Sequence, residues 1–277
     1  MVTRSLGLSL LDRVKDLELP LRRWILPDRF HRVEVETDSR CNRSCHYCPV
    51  AVAPRPVHKM SEELFTSIVD QLVEIGFHGR FSPHFFGEPL LDERLPDLVR
   101  IVKARLPRVQ VVVYTNGDLL TPDRSRALLQ AGVSLFIVTF EEGHSRAWKR
   151  TEPGLSRRER RHFLVRDFDR DVKRPFNRGG LIRFPGRELH QKACIAPAST
   201  LVVDAWGKVR LCPNDYAGEV EWGDLAMHRL ADIWARPDYH ELRQALLRGE
   251  FTRPICRACV GLEERTPMAV NPPRVAS

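Results

Sequence analysis

The sequence predicts an α/β fold in which a parallel sheet forms a partial or full barrel and a smaller module follows it. Segments with strand and helix periodicity alternate through the first part of the chain, a pattern typical of βα units. The character changes after Gly179 and Gly180, where a hairpin pattern replaces the alternation. The 277 residues, 43% hydrophobic and 29% charged, suffice for one large core and one appended unit.

The elements follow in order along the chain. Apolar periodicity predicts helices over 60–75, 93–106 and 122–131, the first with Ser61 as its N-cap and Gly76 as its stop. Strands are predicted over 32–37, 80–86, 109–115, 134–140 and 161–168. A hairpin over 200–205 and 208–211 turns at Trp206 and Gly207, and helices follow over 225–235 and 239–247.

These elements divide the chain into a helical extension (1–31), a barrel (32–180), a C-terminal module (181–262) and a flexible tail (263–277). Charges interrupt the apolar residues of 5–26 too often for a signal peptide or a spanning helix. We therefore expect a cytoplasmic protein without a membrane partner. The net charge of +8 is spread widely, with no basic patch interleaved with aromatic residues, so no nucleic-acid partner is expected.

Seven cysteines in a chain without a secretory signal indicate metal ligands and not disulfides, because the cytosol keeps thiols reduced and an odd number cannot pair fully. They fall into two groups. The first group consists of Cys41, Cys45 and Cys48, and the second of Cys194, Cys212, Cys256 and Cys259.

The first group is a CxxxCxxC loop directly after the first predicted strand. Three thiolates can hold three corners of a cubane 4Fe-4S cluster and leave the fourth iron open for a small molecule. A zinc site with His46 as a fourth ligand is the alternative.

This spacing, with Tyr47 before the last cysteine, resembles the radical S-adenosylmethionine (SAM) superfamily. The resemblance implies a partial (β/α)6 barrel, a 4Fe-4S cluster whose open iron chelates SAM, and Tyr47 along the adenine. Gly87, Glu88 and Pro89 resemble the motif that accepts hydrogen bonds from the SAM ammonium. Thr115 and Asn116 resemble the polar end of the third strand, near the SAM ribose or the substrate, although Asn116-Gly117 also fits a plain turn.

The second group, with Gly207 thirteen positions after Cys194 and a terminal CxxC, resembles the Twitch module, the short form of the SPASM extension. That resemblance implies a second, auxiliary 4Fe-4S cluster with four cysteine ligands, closed to other molecules and suited to electron transfer. A structural zinc site with four cysteines is the alternative.

Segments 33–91, 136–139 and 177–180 resemble radical SAM dehydrogenases of aminocyclitols in aminoglycoside antibiotic biosynthesis. The resemblance implies catalytic roles for Arg178, which would contact the alcohol that becomes a ketone, and for Tyr114. Three positions depart from the pattern: Phe86 replaces a tyrosine, and Pro213 and Asn214 replace a Phe-Glu pair. A changed substrate is therefore expected.

The predicted activity is oxidation of a secondary alcohol of an aminocyclitol, sugar or aminoglycoside intermediate, with reduced flavodoxin or ferredoxin as electron donor. An epimerase is the nearest alternative. Related epimerases quench the substrate radical with a free cysteine, and the seven predicted ligands leave none. A peptide-modifying enzyme is the other alternative, but the residues before the first strand are few for a leader-binding domain.

Overall fold

The computed structural model describes residues 29–140, 146–173, 175–184 and 192–264. Within these residues the chain forms an eight-stranded sheet in the order β5-β4-β3-β2-β1-β6-β7-β8. The strands are β1 (Arg32–Val35), β2 (Arg80–Ser82), β3 (Gln110–Thr115), β4 (Val133–Phe140), β5 (Phe163–Asp167), β6 (Thr200–Val203), β7 (Lys208–Arg210) and β8 (Glu221–Asp224). The predicted α/β class is confirmed.

Helices connect the strands, and their ends follow local capping chemistry. The Ser61 hydroxyl accepts from the Leu64 amide at 3.2 Å where the first helix begins, and Gly132 ends the third with a φ of 114°. The helices are α1 (Glu62–Glu74), α2 (Leu95–Arg105), α3 (Pro122–Ala131), α4 (Arg146–Thr151), α5 (Arg157–Arg160), α6 (Phe168–Asp171), α7 (Ala196–Ser199), α8 (Leu230–Trp234), α9 (Pro237–Arg248) and α10 (Pro254–Cys259).

The sheet joins the barrel strands and the C-terminal hairpin in one structure. Strands β1 to β5 pair as parallel neighbours, and β6 pairs with the free side of β1, also in parallel. Strands β7 and β8 then continue the sheet in antiparallel pairing. The carboxyl ends of six parallel strands therefore share one edge, which is where such sheets bind ligands.

The two faces of the sheet differ in chemistry. Val33 and Val35 are 0% exposed and belong to the apolar core formed with the helices. Because side chains alternate along a strand, their neighbours point to the opposite face, which we call the inner face. The inner face carries Arg32, Glu34, Arg80, Ser82 and Tyr114.

Some predicted bounds differ from the observed ones. The predicted strand 80–86 ends at Ser82, because the backbone of Phe86 and Gly87 bonds to a side chain and not to a neighbouring strand. The predicted helix 225–235 begins only at Leu230, because a turn in which the Met227 and His228 amides donate to the Asp224 carbonyl occupies the residues before it. Residues 1–28 of the predicted extension and 265–277 of the predicted tail lie outside the described residues. Across the described ranges, no helix combines the length and the apolar character needed to cross a membrane.

Candidate functional site

The first cysteine group lies in the loop that follows β1. Cys45 is buried, whereas Cys41 and Cys48 are half-buried. The Cys48 amide donates to the Cys45 carbonyl at 3.0 Å, which closes a turn around the second and third thiols. Burial raises the pKa of the Cys41 thiol, and the charge of Cys48 adds to this effect. A cation bound between the thiols would offset both costs.

This loop is anchored to the end of β3. The Arg43 guanidinium donates to both carboxylate oxygens of Asp118, with Nε to Oδ2 at 2.6 Å. The Asn42 side chain donates to Asp118 at 3.2 Å and accepts from Asn116 Nδ2 at 2.8 Å. A two-pronged arginine contact fixes orientation as well as distance. The cysteine loop and the predicted cofactor residue Asn116 therefore move as one unit.

Tyr47 packs against α6, which follows β5. The Tyr47 ring stacks on Phe168 with centroids 3.7 Å apart, and His46 lies edge-on to both rings. His46 Nε2 lies 3.2 Å from the Asp169 carboxylate. The ring predicted to lie along an adenine is thus held by α6. The histidine considered as a zinc ligand pairs with a carboxylate outside the cysteine group.

The segment Gly87-Glu88-Pro89 passes directly over the backbone that follows β1. A Cβ atom at Gly87 would lie 1.9 Å from the Asp38 carbonyl oxygen, so only glycine fits there. The Glu88 amide donates to the Arg40 carbonyl at 2.7 Å, which fixes the crossing one residue from Cys41. Pro89 then begins a short helical turn. The motif therefore lies against the cysteine loop.

Glu88 itself points inward, at 3% exposure. Its Oε1 accepts from the Thr115 hydroxyl at 2.7 Å, and its Oε2 accepts from the Asn116 amide at 2.8 Å. Burial raises the pKa of the Glu88 carboxyl despite these bonds. The predicted cofactor residues of the second and third strands are thus joined in one hydrogen-bonded group.

Arg178 lies between the inner face and the second cysteine group. Its backbone has a φ of 53°, in the left-handed region that non-glycine residues rarely adopt. Its Nη1 donates to Asn214 Oδ1 at 3.1 Å, and its guanidinium carbon lies 5.4 Å from the centroid of the Phe86 ring. Its buried Nε has no hydrogen-bond partner in the part of the chain that the structure describes. Phe86 and Asn214, two of the positions that depart from the predicted pattern, both contact this arginine.

Two further groups lie near Arg178. The His84 ring stacks on Tyr114 with centroids 4.5 Å apart, which places a predicted catalytic residue beside a half-buried imidazole. Burial and the Arg178 charge lower the pKa of His84 to about 3, so this histidine is neutral at physiological pH. Burial raises the pKa of Glu34 to about 7 although Arg178 acts in the opposite direction. The charge of Arg178 therefore acts on two titratable side chains, one on β1 and one just beyond the end of β2.

In the second cysteine group Cys212 is buried, and the other three thiols are half-buried. Burial raises the pKa of Cys194 to about 11 and that of Cys256 to about 12. The pKa of Cys212 rises well above its usual range through burial and through repulsion by Cys194 and Cys259. The Gly179 amide donates to the Cys259 thiol, which links this group to the turn that carries Arg178. Four mutually repelling thiols are a donor set for a strongly positive metal centre.

Both donor sets consist of cysteine sulfur alone. A cubane iron-sulfur cluster binds each thiolate through a different iron. A single tetrahedral zinc ion also accepts thiolates, at about 2.3 Å each. The all-sulfur chemistry of both sets agrees with iron-sulfur ligation.

A buried carboxylate connects the surroundings of the two groups. Glu36 is 0% exposed and accepts from the amides of Phe86 and Gly87 at 3.0 and 2.9 Å. It pairs with Arg55 at 2.5 Å, and the Arg55 guanidinium lies 4.7 Å from the Tyr216 ring. The loop after the first cysteines and the segment after Cys212 therefore meet at Glu36.

Sequence reasoning missed Glu34, Glu36, Arg55 and His84. A signal was present for the glutamates, because a strand that alternates valine with charged residues has one polar face, and a polar face inside a barrel meets ligand. No comparable pattern marks Arg55, which lies in a loop, or His84, which lies beyond the end of β2.

The chain is a radical SAM enzyme: residues 35–176 match the family model of the radical SAM superfamily, to which it belongs. Residues 194–260 match a second model, an iron-sulfur cluster-binding domain of the SPASM type. The predicted superfamily and the predicted type of C-terminal module are thereby confirmed.

Among particular proteins, the chain is similar to the S-adenosyl-L-methionine-dependent 2-deoxy-scyllo-inosamine dehydrogenase of Niallia circulans, at 31% identity over 240 residues that cover 86% of this chain and 95% of the relative. The crystal structure of BtrN in complex with AdoMet and 2-DOIA matches with a TM-score of 0.78 and 30% identity, covering 86% of this chain and 96% of BtrN. The GTP 3',8-cyclase of Chlorobaculum tepidum is 32% identical over 117 residues, which cover 40% of this chain and 34% of the cyclase.

Proposed function

We propose that this enzyme oxidises a secondary alcohol of an aminocyclitol, sugar or aminoglycoside intermediate to a ketone. The similar enzyme of Niallia circulans is a dehydrogenase named for an aminocyclitol, and BtrN was crystallised with AdoMet and 2-DOIA. Cys41, Cys45 and Cys48 would hold a SAM-binding 4Fe-4S cluster, and Cys194, Cys212, Cys256 and Cys259 an auxiliary one. When bound, these groups supply hydrogen abstraction from carbon and accept the remaining electron.

The position of Arg178 is the observation that carries this proposal. The guanidinium donates to Asn214, two residues after Cys212, and its charge acts on Glu34 and His84. An alcohol bound to Nε of Arg178, which bonds to no other group among the described residues, would lie between the two cysteine groups. Since guanidinium hardly loses its proton, Arg178 would orient the hydroxyl as a donor.

The remaining predicted residues have supporting roles in this proposal. Tyr47 would flank the adenine of SAM, and the backbone of Gly87 to Pro89 would receive its ammonium. Thr115 and Asn116 would keep Glu88 and the cysteine loop in register beside the SAM ribose. Tyr114, stacked on His84, would form one wall of the substrate pocket.

An anaerobic assay tests the proposal. Enzyme reconstituted with iron and sulfide is mixed with SAM, with reduced flavodoxin or ferredoxin, and with 2-deoxy-scyllo-inosamine or other cyclitols and aminoglycosides. We expect 5'-deoxyadenosine together with a product two mass units lighter than the alcohol. A stereoisomer of equal mass that carries solvent deuterium would instead identify an epimerase.

A pair of arginine variants then tests the role of Arg178. Arg178→Ala should lower ketone formation about 10- to 100-fold, the effect of losing one hydrogen bond from a charged donor. The control Arg183→Ala removes a side chain that is 70% exposed and should leave the rate unchanged. Equal rates for the two variants would remove Arg178 from the proposed site.

A further inference from the structure

One carboxylate on the inner face is surrounded by arginines. The charged groups that act on Glu34 are Arg32 of the same strand, Arg80 of β2 and Arg178 of the turn beside the second cysteine group. In the parallel registers, Glu34 lies opposite the uncharged residues Ser82 and Val202. Glu34 keeps a partly exposed side chain, whereas Val33 and Val35 beside it are 0% exposed. Its carboxylate is therefore open to the side of the sheet where Arg178 lies.

Alcohol oxidation releases a proton that the residues assigned so far do not accept. A secondary alcohol that becomes a ketone loses a hydrogen atom from carbon, one further electron, and the proton of its O–H bond. The hydrogen atom and the electron go to the bound radical and iron-sulfur cofactors. The proton needs a base within reach of the hydroxyl that Arg178 would bind, and Arg178 itself stays protonated.

The candidate bases near Arg178 differ in their suitability. His84 has a pKa of about 3, so it accepts a proton poorly at neutral pH. Tyr216 has a pKa of about 12, and its hydroxyl already donates to the Ala53 carbonyl at 2.5 Å. Glu34 has a pKa of about 7, which is the range in which a carboxylate both takes up and releases a proton during turnover.

We propose that Glu34 is a catalytic residue of this enzyme, the proton acceptor for the alcohol bound by Arg178. This inference rests on the proposed function. In the step, the C–H bond breaks by hydrogen-atom transfer, the O–H proton passes to the Glu34 carboxylate, the last electron leaves to the auxiliary iron-sulfur centre, and the C=O bond forms. Arg32 and Arg80 keep the carboxylate from being fully protonated at neutral pH.

The test compares wild type, Glu34→Gln and the matched control Glu74→Gln, which changes a carboxylate of α1 that is 52% exposed. All three are reconstituted holoenzymes acting on 2-deoxy-scyllo-inosamine, or on whichever alcohol the wild type converts. Ketone and 5'-deoxyadenosine are measured from pH 5.5 to 8.5. Wild-type ketone formation should fall about 10-fold per pH unit below pH 7. Glu34→Gln should form ketone roughly 100-fold more slowly at pH 8, with the KM unchanged and without that pH dependence. Glu74→Gln should behave as wild type.

The ratio of products separates a catalytic role from a structural one. Hydrogen abstraction does not need the base, so Glu34→Gln should form more 5'-deoxyadenosine per ketone than wild type does. A variant that merely misfolds would lose both products together. In that event Glu34→Asp is tested instead. It keeps a carboxylate, so it should form some ketone, and its rate should still fall at low pH. A Glu34→Gln enzyme with wild-type rate and pH profile overturns the inference alone, whereas a wild type that forms no ketone from any alcohol overturns the proposed function as well.

Thermal unfolding gives a readout that does not depend on turnover. A carboxyl whose pKa is raised on folding stabilises the protein below its unfolded pKa of about 4.3, and that stability is lost as the pH rises toward the folded value of about 7. The difference between the Tm of Glu34→Gln and that of wild type should therefore change in favour of the variant as the pH rises from 5 to 7. A constant Tm difference across this interval contradicts a Glu34 that titrates near neutrality.

Discussion

The two cysteine groups are built in different ways. The first lies in a half-exposed loop that polar contacts fix, above all the fork between Arg43 and Asp118. The second combines Cys256 and Cys259 of α10 with Cys194 and Cys212 from either side of the hairpin, and burial is the largest cause of the raised pKa of each thiol. Three thiols leave one corner of a cubane open to a ligand, whereas four thiols fill every corner. This difference in ligand number is the basis of the proposed division of labour between a site that binds SAM and a site that carries electrons.

The largest effect is expected from removal of a thiol from the first group. Cys45→Ala leaves two ligands for the SAM-binding cluster, so 5'-deoxyadenosine formation should fall to the background of the assay. Iron analysis of the same protein should show the loss of one cluster. Wild-type SAM cleavage by this variant would contradict the assignment of the first group.

Removal of a thiol from the second group should have a different result. Cys256→Ala should retain part of the SAM cleavage while ketone formation is suppressed, because the second electron has no acceptor. The ratio of 5'-deoxyadenosine to ketone, measured beside Cys45→Ala, expresses the difference between the two groups. An unchanged ketone yield would remove the auxiliary cluster from the mechanism.

The junction between the groups should matter for stability. The Arg55 side chain is only 14% exposed, and Glu36→Ala removes the carboxylate that pairs with it. Loss of this partner for a buried charge should lower the free energy of unfolding by about 3–5 kcal/mol. The control Glu74→Ala breaks an ion pair with Arg229 whose side chains are 52% and 64% exposed, and should cost about 0–1 kcal/mol. Denaturant titration of both variants measures the difference. Equal losses of unfolding free energy would show that the buried Glu36 pair contributes no more than a surface ion pair.

The smallest effect on stability is expected at Tyr216, whose ring lies beside Arg55. Tyr216→Phe removes the hydroxyl that donates to the Ala53 carbonyl, so the free energy of unfolding should fall by about 1 kcal/mol. The ring remains, and with it the contact with Arg55. A loss as large as that of Glu36→Ala would mean that the two loops depend on this hydroxyl more than on the buried carboxylate.

Much of the fold follows from local sequence patterns. The helices α1, α2 and α3 and the strands β1, β3 and β4 lie within two residues of their predicted bounds, because periodicity and capping residues are local properties. Strand β8 and helix α10 were not predicted, since each is short and is held by tertiary contacts. The parallel pairing of β6 with β1 joins residues far apart in sequence, which no local pattern encodes.

The cysteines were predictable for a similar reason, since ligand spacing within a loop is a local property. The surroundings of the site were not. Glu36 takes its hydrogen-bond donors from positions 50 or more residues away, so its importance appears only in three dimensions. The pKa of about 3 for His84 likewise depends on burial and on Arg178, which only the fold brings together.

Strand β1 has a paired neighbour on each side, β2 from the barrel and β6 from the C-terminal module. A protein cut before residue 192 would keep all the residues that match the radical SAM model, yet it would present β1 as a bare edge ready to pair with other chains. Expression of the barrel alone should therefore yield aggregates. Exchange of the C-terminal half for that of another enzyme requires a strand that pairs with β1 in place of β6.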